Sequence, residues 1–271
     1  MASPTTSTSD PAVLTGLAAR IASEAARFVK EALRRGDQAV TTKSSATDMV
    51  TDIDRGSEAL IVAAVREARP LDGIVGEEGT ALPTSTGVEW VIDPIDGTTN
   101  FVYGLPGFGV SVGVRLDGEV VAGAVADVLR GELFTATAGA GAFLNGTPIH
   151  VTAKSELATA LVGTGFSYDS ERRRRQAEVL AAVLPLIRDI RRIGAASTDL
   201  CAVACGRLDA YYEKGLAPWD YAAGALIARE AGAVVGNLDG GPCGPDFTLA
   251  AAPGVFGPLR DLLHASGAAN A

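Results

Sequence analysis

Two carboxylates three residues apart close a hydrophobic run in the segment Trp90-Val91-Ile92-Asp93-Pro94-Ile95-Asp96-Gly97-Thr98-Thr99-Asn100-Phe101. A strand that ends on Asp93 and Asp96 presents oxygen ligands to a hard divalent cation, and Mg²⁺ in particular is held by a few carboxylates together with substrate phosphate oxygens. Gly97, Thr98 and Thr99 follow with pliant backbone and free N–H groups. If Thr98 and Thr99 open a helix, its positive end faces a phosphate, and metal and phosphate chemistry share one loop. An isolated Asp-x-x-Asp also caps turns beside Gly and Pro, and that plainer reading stands beside the first.

Three more acidic clusters occur. Asp48, Asp52 and Asp54 lie in Asp48-Met49-Val50-Thr51-Asp52-Ile53-Asp54, Glu77 and Glu78 in Val75-Gly76-Glu77-Glu78-Gly79, and Asp220 in Ala217-Pro218-Trp219-Asp220. Taken singly, Glu77-Glu78 reads as an exposed acidic pair and Asp220 as a helix N-cap. Brought to one point, the clusters would repel one another strongly unless cations sat among them.

Other signals point elsewhere and are weaker. Gly109-Val110-Ser111-Val112-Gly113 fits a Gly-x-Ser-x-Gly nucleophile elbow, yet its surroundings alternate like an uninterrupted strand. The two histidines, His150 beside strand-like Ile149 and Val151 and His264 in a terminal helix, are poorly placed for a triad. The run Arg172 to Arg175 reads as a solvated helix start. Gly139-Ala140-Gly141 lacks the third glycine of a dinucleotide loop and the Lys-Ser/Thr of a P-loop. Cys201, Cys205 and Cys243 have no zinc-like spacing and read as small buried residues in a reducing compartment.

The elements that must position these groups are visible as changes of period. Asp10-Pro11 reads as an N-cap and first helical residue, followed at helical spacing by Leu14, Leu17, Ile21, Ala25, Phe28 and Ala32 up to Gly36. A second helix is expected from near Arg55 to Pro70. Val88–Ile92, Phe108–Arg115, Glu119–Val125 and Glu132–Thr137 read as strands joined by tight turns at Asp117-Gly118 and Gly131. Beyond residue 155 helices at 171–185, 197–205 and 220–231 alternate with strands at 188–193 and 208–213, which predicts mixed α and β layers. Residues 1–10 are expected to be a disordered tail and residues 11–271 one catalytic domain.

The chain has 271 residues, 47% of them hydrophobic, enough to bury a core. Its formal charge of −9, from 23 basic and 32 acidic residues, offers no electrostatic footprint for nucleic acid. An anionic substrate would need a local positive element, and a bound metal supplies one. With no apolar stretch of about 18 residues and no basic leader, the expectation is a cytoplasmic protein without membrane contact.

The Asp93 segment resembles the Asp-Pro-x-Asp-Gly-Thr-x-Asn pattern of the inositol monophosphatase family at every fixed position. The Asp48, Gly76-Glu77-Glu78 and Trp219-Asp220 segments resemble that family's other motifs in the same order, and the likeness runs from about residue 11 to 265. The resemblance implies an α/β, mixed α+β fold: a layered α-β-α-β-α sandwich of the sugar-phosphatase type. It implies two or three Mg²⁺ ions per site, with Glu77, Asp93 and the Ile95 carbonyl holding the first, Asp93, Asp96 and Asp220 the second, and a weaker third near Glu77. It further implies that Thr98, bonded to Asp54 and assisted by Glu77, orients and deprotonates an attacking water. Gly97 and Thr98 N–H groups would receive the phosphate, while Gly194, Ala195, Ala196, Glu213 and Asp220 would contact substrate. The implied substrate is a small phosphorylated polyol, myo-inositol 1-phosphate first, with histidinol phosphate, fructose 1,6-bisphosphate or a 3′-phosphoadenosine nucleotide as alternatives. A homodimer and inhibition by Li⁺ belong to the same expectation, as does a less favoured regulatory role.

Overall fold

The structure, a computed structural model, describes residues 9–35, 40–42 and 49–271. The expected tail up to residue 8, the expected helix end at Gly36 and Asp48 of the first acidic motif lie outside the described residues.

Asp10 caps the first helix as expected, its Oδ1 accepting the Ala12 N–H at 2.9 Å, and α1 runs Pro11–Arg35. A short hairpin, β1 (Val40–Thr42) and β2 (Met49–Thr51), leads into α2 (Asp52–Ala68). That helix begins three residues earlier than its apolar period indicates, because Thr51 and Asp54 form a reciprocal capping box that completes the first turn.

The large sheet follows. Its strands are β3 (Gly73–Gly76), β4 (Ala81–Leu82), β5 (Val88–Asp96), β6 (Gly109–Leu116), β7 (Glu119–Asp127), β8 (Glu132–Thr137), β9 (Ala142–Leu144) and β10 (Thr147–Pro148), with α3 (Thr98–Tyr103) between β5 and β6. Their order is β10-β9-β8-β7-β6-β5-β3-β4, antiparallel except for the β3/β5 pair. The second half contains β11 (Leu161–Thr164), α4 (Ser170–Val183), β12 (Asp189–Arg191), α5 (Ala196–Ala204), β13 (Ala210–Glu213), α6 (Pro218–Glu230), β14 (Val234–Gly236), β15 (Thr248–Ala251) and α7 (Pro253–Ala265). Its five strands take the order β12-β11-β13-β15-β14.

The layers follow from which faces are apolar. Val110, Val112 and Val114 of β6 pack with Trp90 and Ile92 of β5 against Ile21, Ala25 and Val29 of α1 and Ile61 and Val65 of α2. The alternate positions of β6 are Gly109, Ser111 and Gly113, small enough for α5 and α6 to lie against them. A Cβ added at Gly113 would stand 3.1 Å from the Ala222 Cβ. The helices α5 and α6 also pack on the small sheet, whose other face, with Val162, Ala210, Tyr212 and Leu249, is covered by α4 and α7. The result is the α-β-α-β-α sandwich. Ser111 therefore sits buried inside an unbroken strand, its hydroxyl donating to the Trp219 carbonyl at 3.2 Å, and there is no nucleophile elbow. No helix among the described residues is long and apolar enough to cross a membrane.

Several boundaries differ from their expected places. β5 does not stop at Ile92 but continues through Pro94 to Asp96, with a shift of register against β6 between Asp93 and Asp96. α4 ends at Val183, where Leu184–Leu186, carrying Pro185, tightens into a 3₁₀ turn. The strand expected at 188–193 shortens to β12.

Candidate active site

The bulge in β5 sets the first half of the site. It carries Asp93 and Asp96 past the end of regular pairing, and both carboxylates are buried at one end of the large sheet. The Asp93 Oδ1 accepts the Ile95 N–H at 3.0 Å. Gly97 then turns the chain at φ 91°, a left-handed conformation, with the Gly107 carbonyl and the Ala195 methyl 2.9 and 3.0 Å from where a Cβ would stand. Only glycine fits there. α3 begins at once with Thr98, and Asn100 pins it by donating to the Gly107 and Ile193 carbonyls at 2.6 and 2.7 Å.

Thr98 lies within reach of two acceptors, Asp54 Oδ1 at 3.0 Å and the Ile95 carbonyl at 3.1 Å. One proton serves one acceptor at a time, so its oxygen keeps lone pairs for a further donor. Asp54 is itself fixed, its Oδ2 accepting the Thr51 N–H at 2.8 Å and the Thr51 hydroxyl at 2.5 Å. Burial raises the Asp54 pKa, and the hydrogen bonds from Thr51 and Thr98 offset only part of that.

Glu77 follows β3 and lines the cavity with Asp93, where its charge helps to raise the Asp93 pKa. Asp220 stands in the first turn of α6, where Pro218 opens the helix and the Ala217 N–H donates to Asp220 Oδ2 at 2.7 Å. Asp96 Oδ2 accepts the Ser197 N–H at 2.6 Å. Each of Asp93, Asp96 and Asp220 thus has one oxygen held by a backbone N–H. Burial is the largest cause that raises the pKa of all three, and mutual repulsion adds to it. Asp96 is pushed up to about 7.

Glu77, Asp93, Ile95, Asp96, Gly97, Thr98 and Asp220 line one cavity of about 520 Å³. Among the described residues no three His, Cys, Asp or Glu side chains close into a tight ligand cluster. The carboxylates ring the cavity and repel. An all-oxygen donor set of this charge fits a hard divalent cation, which would remove the repulsion and favour the ionised carboxylates.

Gly194, Ala196 and Glu213 line the same cavity, whereas Ala195 does not. It is buried behind the wall as the N-cap of α5, its methyl against Gly97. Burial raises the Glu213 pKa, opposed by the Tyr211 hydroxyl bonded to it and by Arg192 and Arg172. Reading the sequence missed the cations. Arg172 is no merely solvated helix start: with Arg192 and Lys214 it lines the cavity, beside Phe166, Tyr168 and Trp219. Only three-dimensional packing reveals this, since Arg173, Arg174 and Arg175 of the same run are exposed. The Ser197 N–H was also missed, because a backbone donor leaves no mark in residue type.

Comparison with known proteins gives one answer. The model of the inositol monophosphatase family matches residues 10–270. The inositol-1-monophosphatase SuhB of Mycobacterium tuberculosis is 47% identical over 276 residues, 94% of each chain. The Nus factor SuhB of Vibrio cholerae is 41% identical over 227 residues, 83% of this chain and 85% of its own. The structure of SaIMPase-II with inositol monophosphate bound superposes with a TM-score of 0.80 at 30% identity, covering 95% of this chain and 97% of that one.

Proposed function

The chain belongs to the inositol monophosphatase family, and from that premise we propose that it is a Mg²⁺-dependent phosphatase converting myo-inositol 1-phosphate to myo-inositol and phosphate. One observation carries the reading: four carboxylates, Glu213 and Thr98 face a single cavity, with Asp54 buried behind Thr98 and bonded to its hydroxyl.

In this reading Glu77, Asp93 and the Ile95 carbonyl hold one Mg²⁺, Asp93, Asp96 and Asp220 a second, and a third sits near Glu77. When bound, Mg²⁺ supplies Lewis acidity toward water and positive charge that offsets the phosphoryl and departing alcohol oxygens. The Thr98 hydroxyl donates to Asp54, which leaves its oxygen free to orient the attacking water; as it takes the water's proton it passes its own to the Asp54 carboxylate, with Glu77 assisting. The Gly97 and Thr98 N–H groups stabilise the transferred phosphoryl oxygens. Glu213 accepts hydrogen bonds from the polyol hydroxyls, and Gly194 and Ala196 shape the wall behind them. The same reading includes a cytoplasmic homodimer and sensitivity to Li⁺.

Arg172, Arg192 and Lys214 favour a second reading, in which the alcohol is bulkier or more anionic, such as a 3′-phosphoadenosine nucleotide or fructose 1,6-bisphosphate. A purely regulatory role, to which the name Nus factor carried by one relative points, is less favoured because every motif carboxylate is present.

Phosphate release with Mg²⁺ or with chelator, compared by kcat/KM across inositol 1-phosphate, histidinol phosphate, fructose 1,6-bisphosphate and 3′-phosphoadenosine 5′-phosphate, tests all three. A Mg²⁺-dependent preference for inositol 1-phosphate supports the first reading. Preference for a nucleotide or bisphosphate supports the second, and inactivity on all four removes both.

A further inference from the structure

Helix α2 contributes more to the site than Asp54. Asp54, Ser57 and Glu58 occupy positions i, i+3 and i+4, which share one helix face, and all three are buried. Each bonds to a different segment. Asp54 Oδ1 accepts the Thr98 hydroxyl at 3.0 Å. The Ser57 hydroxyl donates to the Pro94 carbonyl at 3.0 Å, between Asp93 and Ile95. Glu58 Oε2 accepts the Glu78 N–H at 2.8 Å, and its Oε1 accepts the Thr80 N–H at 3.1 Å and the Thr80 hydroxyl at 2.6 Å. The turn that carries Glu77 is thereby clamped immediately beyond it. Gly76, on the other side of Glu77, leaves the room that the clamp needs: a Cβ there would stand 2.5 Å from Glu58 Oε2.

A buried carboxylate is a poor way to stabilise a helix, since an apolar residue of similar volume does as well or better. What Glu58 adds is direction. It accepts three hydrogen bonds from one turn, and with Ser57 and Asp54 it ties that turn, the β5 bulge and the start of α3 to one rigid rod. The apolar side of the rod, Ile61 and Val65, is anchored in the core.

We infer that Ser57 and Glu58 are positioning residues that set the spacing of Glu77 against Asp93, Asp96 and Thr98, and so the affinity for Mg²⁺. This rests on the phosphatase reading above. Neither residue touches substrate or metal in it. Groups that orient metal ligands from behind typically change metal affinity or activity by about 10–100-fold when lost.

The test uses the full chain and two readouts, the Mg²⁺ concentration that half-saturates phosphate release and the one that gives half of the Mg²⁺-induced rise in Tm. Glu58→Gln keeps the shape but turns an NH₂ toward backbone donors. It is expected to raise both midpoints about tenfold, with kcat at saturating Mg²⁺ within about twofold of wild type. Ile61→Val, which only loosens the core side of α2, should lower Tm without moving either midpoint. If Glu58→Gln does not fold, Ser57→Ala carries the same comparison. Variants that behave like Ile61→Val overturn the inference. A wild-type chain with no Mg²⁺ response in either readout overturns the phosphatase reading instead.

Discussion

The Ser197 N–H donates to Asp96 Oδ2 at 2.6 Å, joining residues 101 positions apart. This bond ties the first turn of α5 to the end of β5, so the two halves of the chain meet at a carboxylate of the site. It also assigns the two oxygens of Asp96, one to the protein and one to the cavity. In Asp96→Asn the amide oxygen must face the Ser197 N–H, which turns the NH₂ into the cavity where a metal ligand is needed. The expected outcome is a fall in kcat/KM of at least about 10³-fold at saturating Mg²⁺, equivalent to several kcal/mol. The circular dichroism of the metal-free protein should hold and its Tm should not fall, since the substitution removes an ionisation that destabilises the folded chain near neutral pH. A variant turning over near the wild-type rate would refute the ligand assignment.

The pH dependence follows from the same group. Asp96 is raised from 3.8 to about 7 in the folded, metal-free chain, and Asp93 and Asp220 are raised too. Below about pH 4 these carboxyls are protonated folded or unfolded, and the stability tied to them is fully present. As pH rises toward 7 the unfolded chain ionises first, so metal-free stability falls, and the loss is complete once the folded-state pKa is passed. Mg²⁺ needs the ionised carboxylates, so its effect has the opposite sign. Thermal melts from pH 5 to 8 should show Tm falling with pH in chelator, and the Mg²⁺-induced rise in Tm growing through about pH 7. A rise that is constant across that range would remove the cation from these carboxylates.

Much of this was legible beforehand. The Asp93 to Asn100 string located β5 and the start of α3, and helical and strand periods located most elements, because apolar faces recur at short spacing. The path of β5 through Pro94 was not legible, since a proline beside a turn reads as the end of a strand. Glu58 was hidden for a different reason: a Glu in an amphipathic helix reads as solvated, and its partners Glu78 and Thr80 lie about twenty residues on. Local pattern records which face is apolar, and long-range hydrogen bonds leave no period.

Thr98 offers a cleaner separation of binding from chemistry. Thr98→Val conserves shape and leaves its backbone N–H in place, while deleting the hydroxyl that lies 3.0 Å from Asp54. Loss of a group that orients and deprotonates water typically costs about 10²–10⁴-fold. The expected result is a kcat lower by that order, with KM and the Mg²⁺-induced rise in Tm nearly unchanged. If KM rises instead and kcat holds, Thr98 serves binding alone.

Tyr211 and Glu213 provide the test on the substrate side. The two residues share a strand but not a role in packing: Tyr211 is wholly buried under α5 and α6, and its hydroxyl donates to Glu213. The carboxylate lies against Gly165, where any Cβ would collide with it, so its position is set from two sides. Tyr211→Phe leaves the ring in the core and releases the carboxylate. A hydrogen bond to a charged group contributes about 1.5–3 kcal/mol, and part of that should appear as lost orientation toward the polyol. KM for inositol 1-phosphate is expected to rise roughly tenfold with little change in kcat, while a phosphate ester without ring hydroxyls, such as p-nitrophenyl phosphate, should be hydrolysed as before. Equal losses on both esters would place Glu213 outside polyol recognition and make Tyr211 a residue of the core.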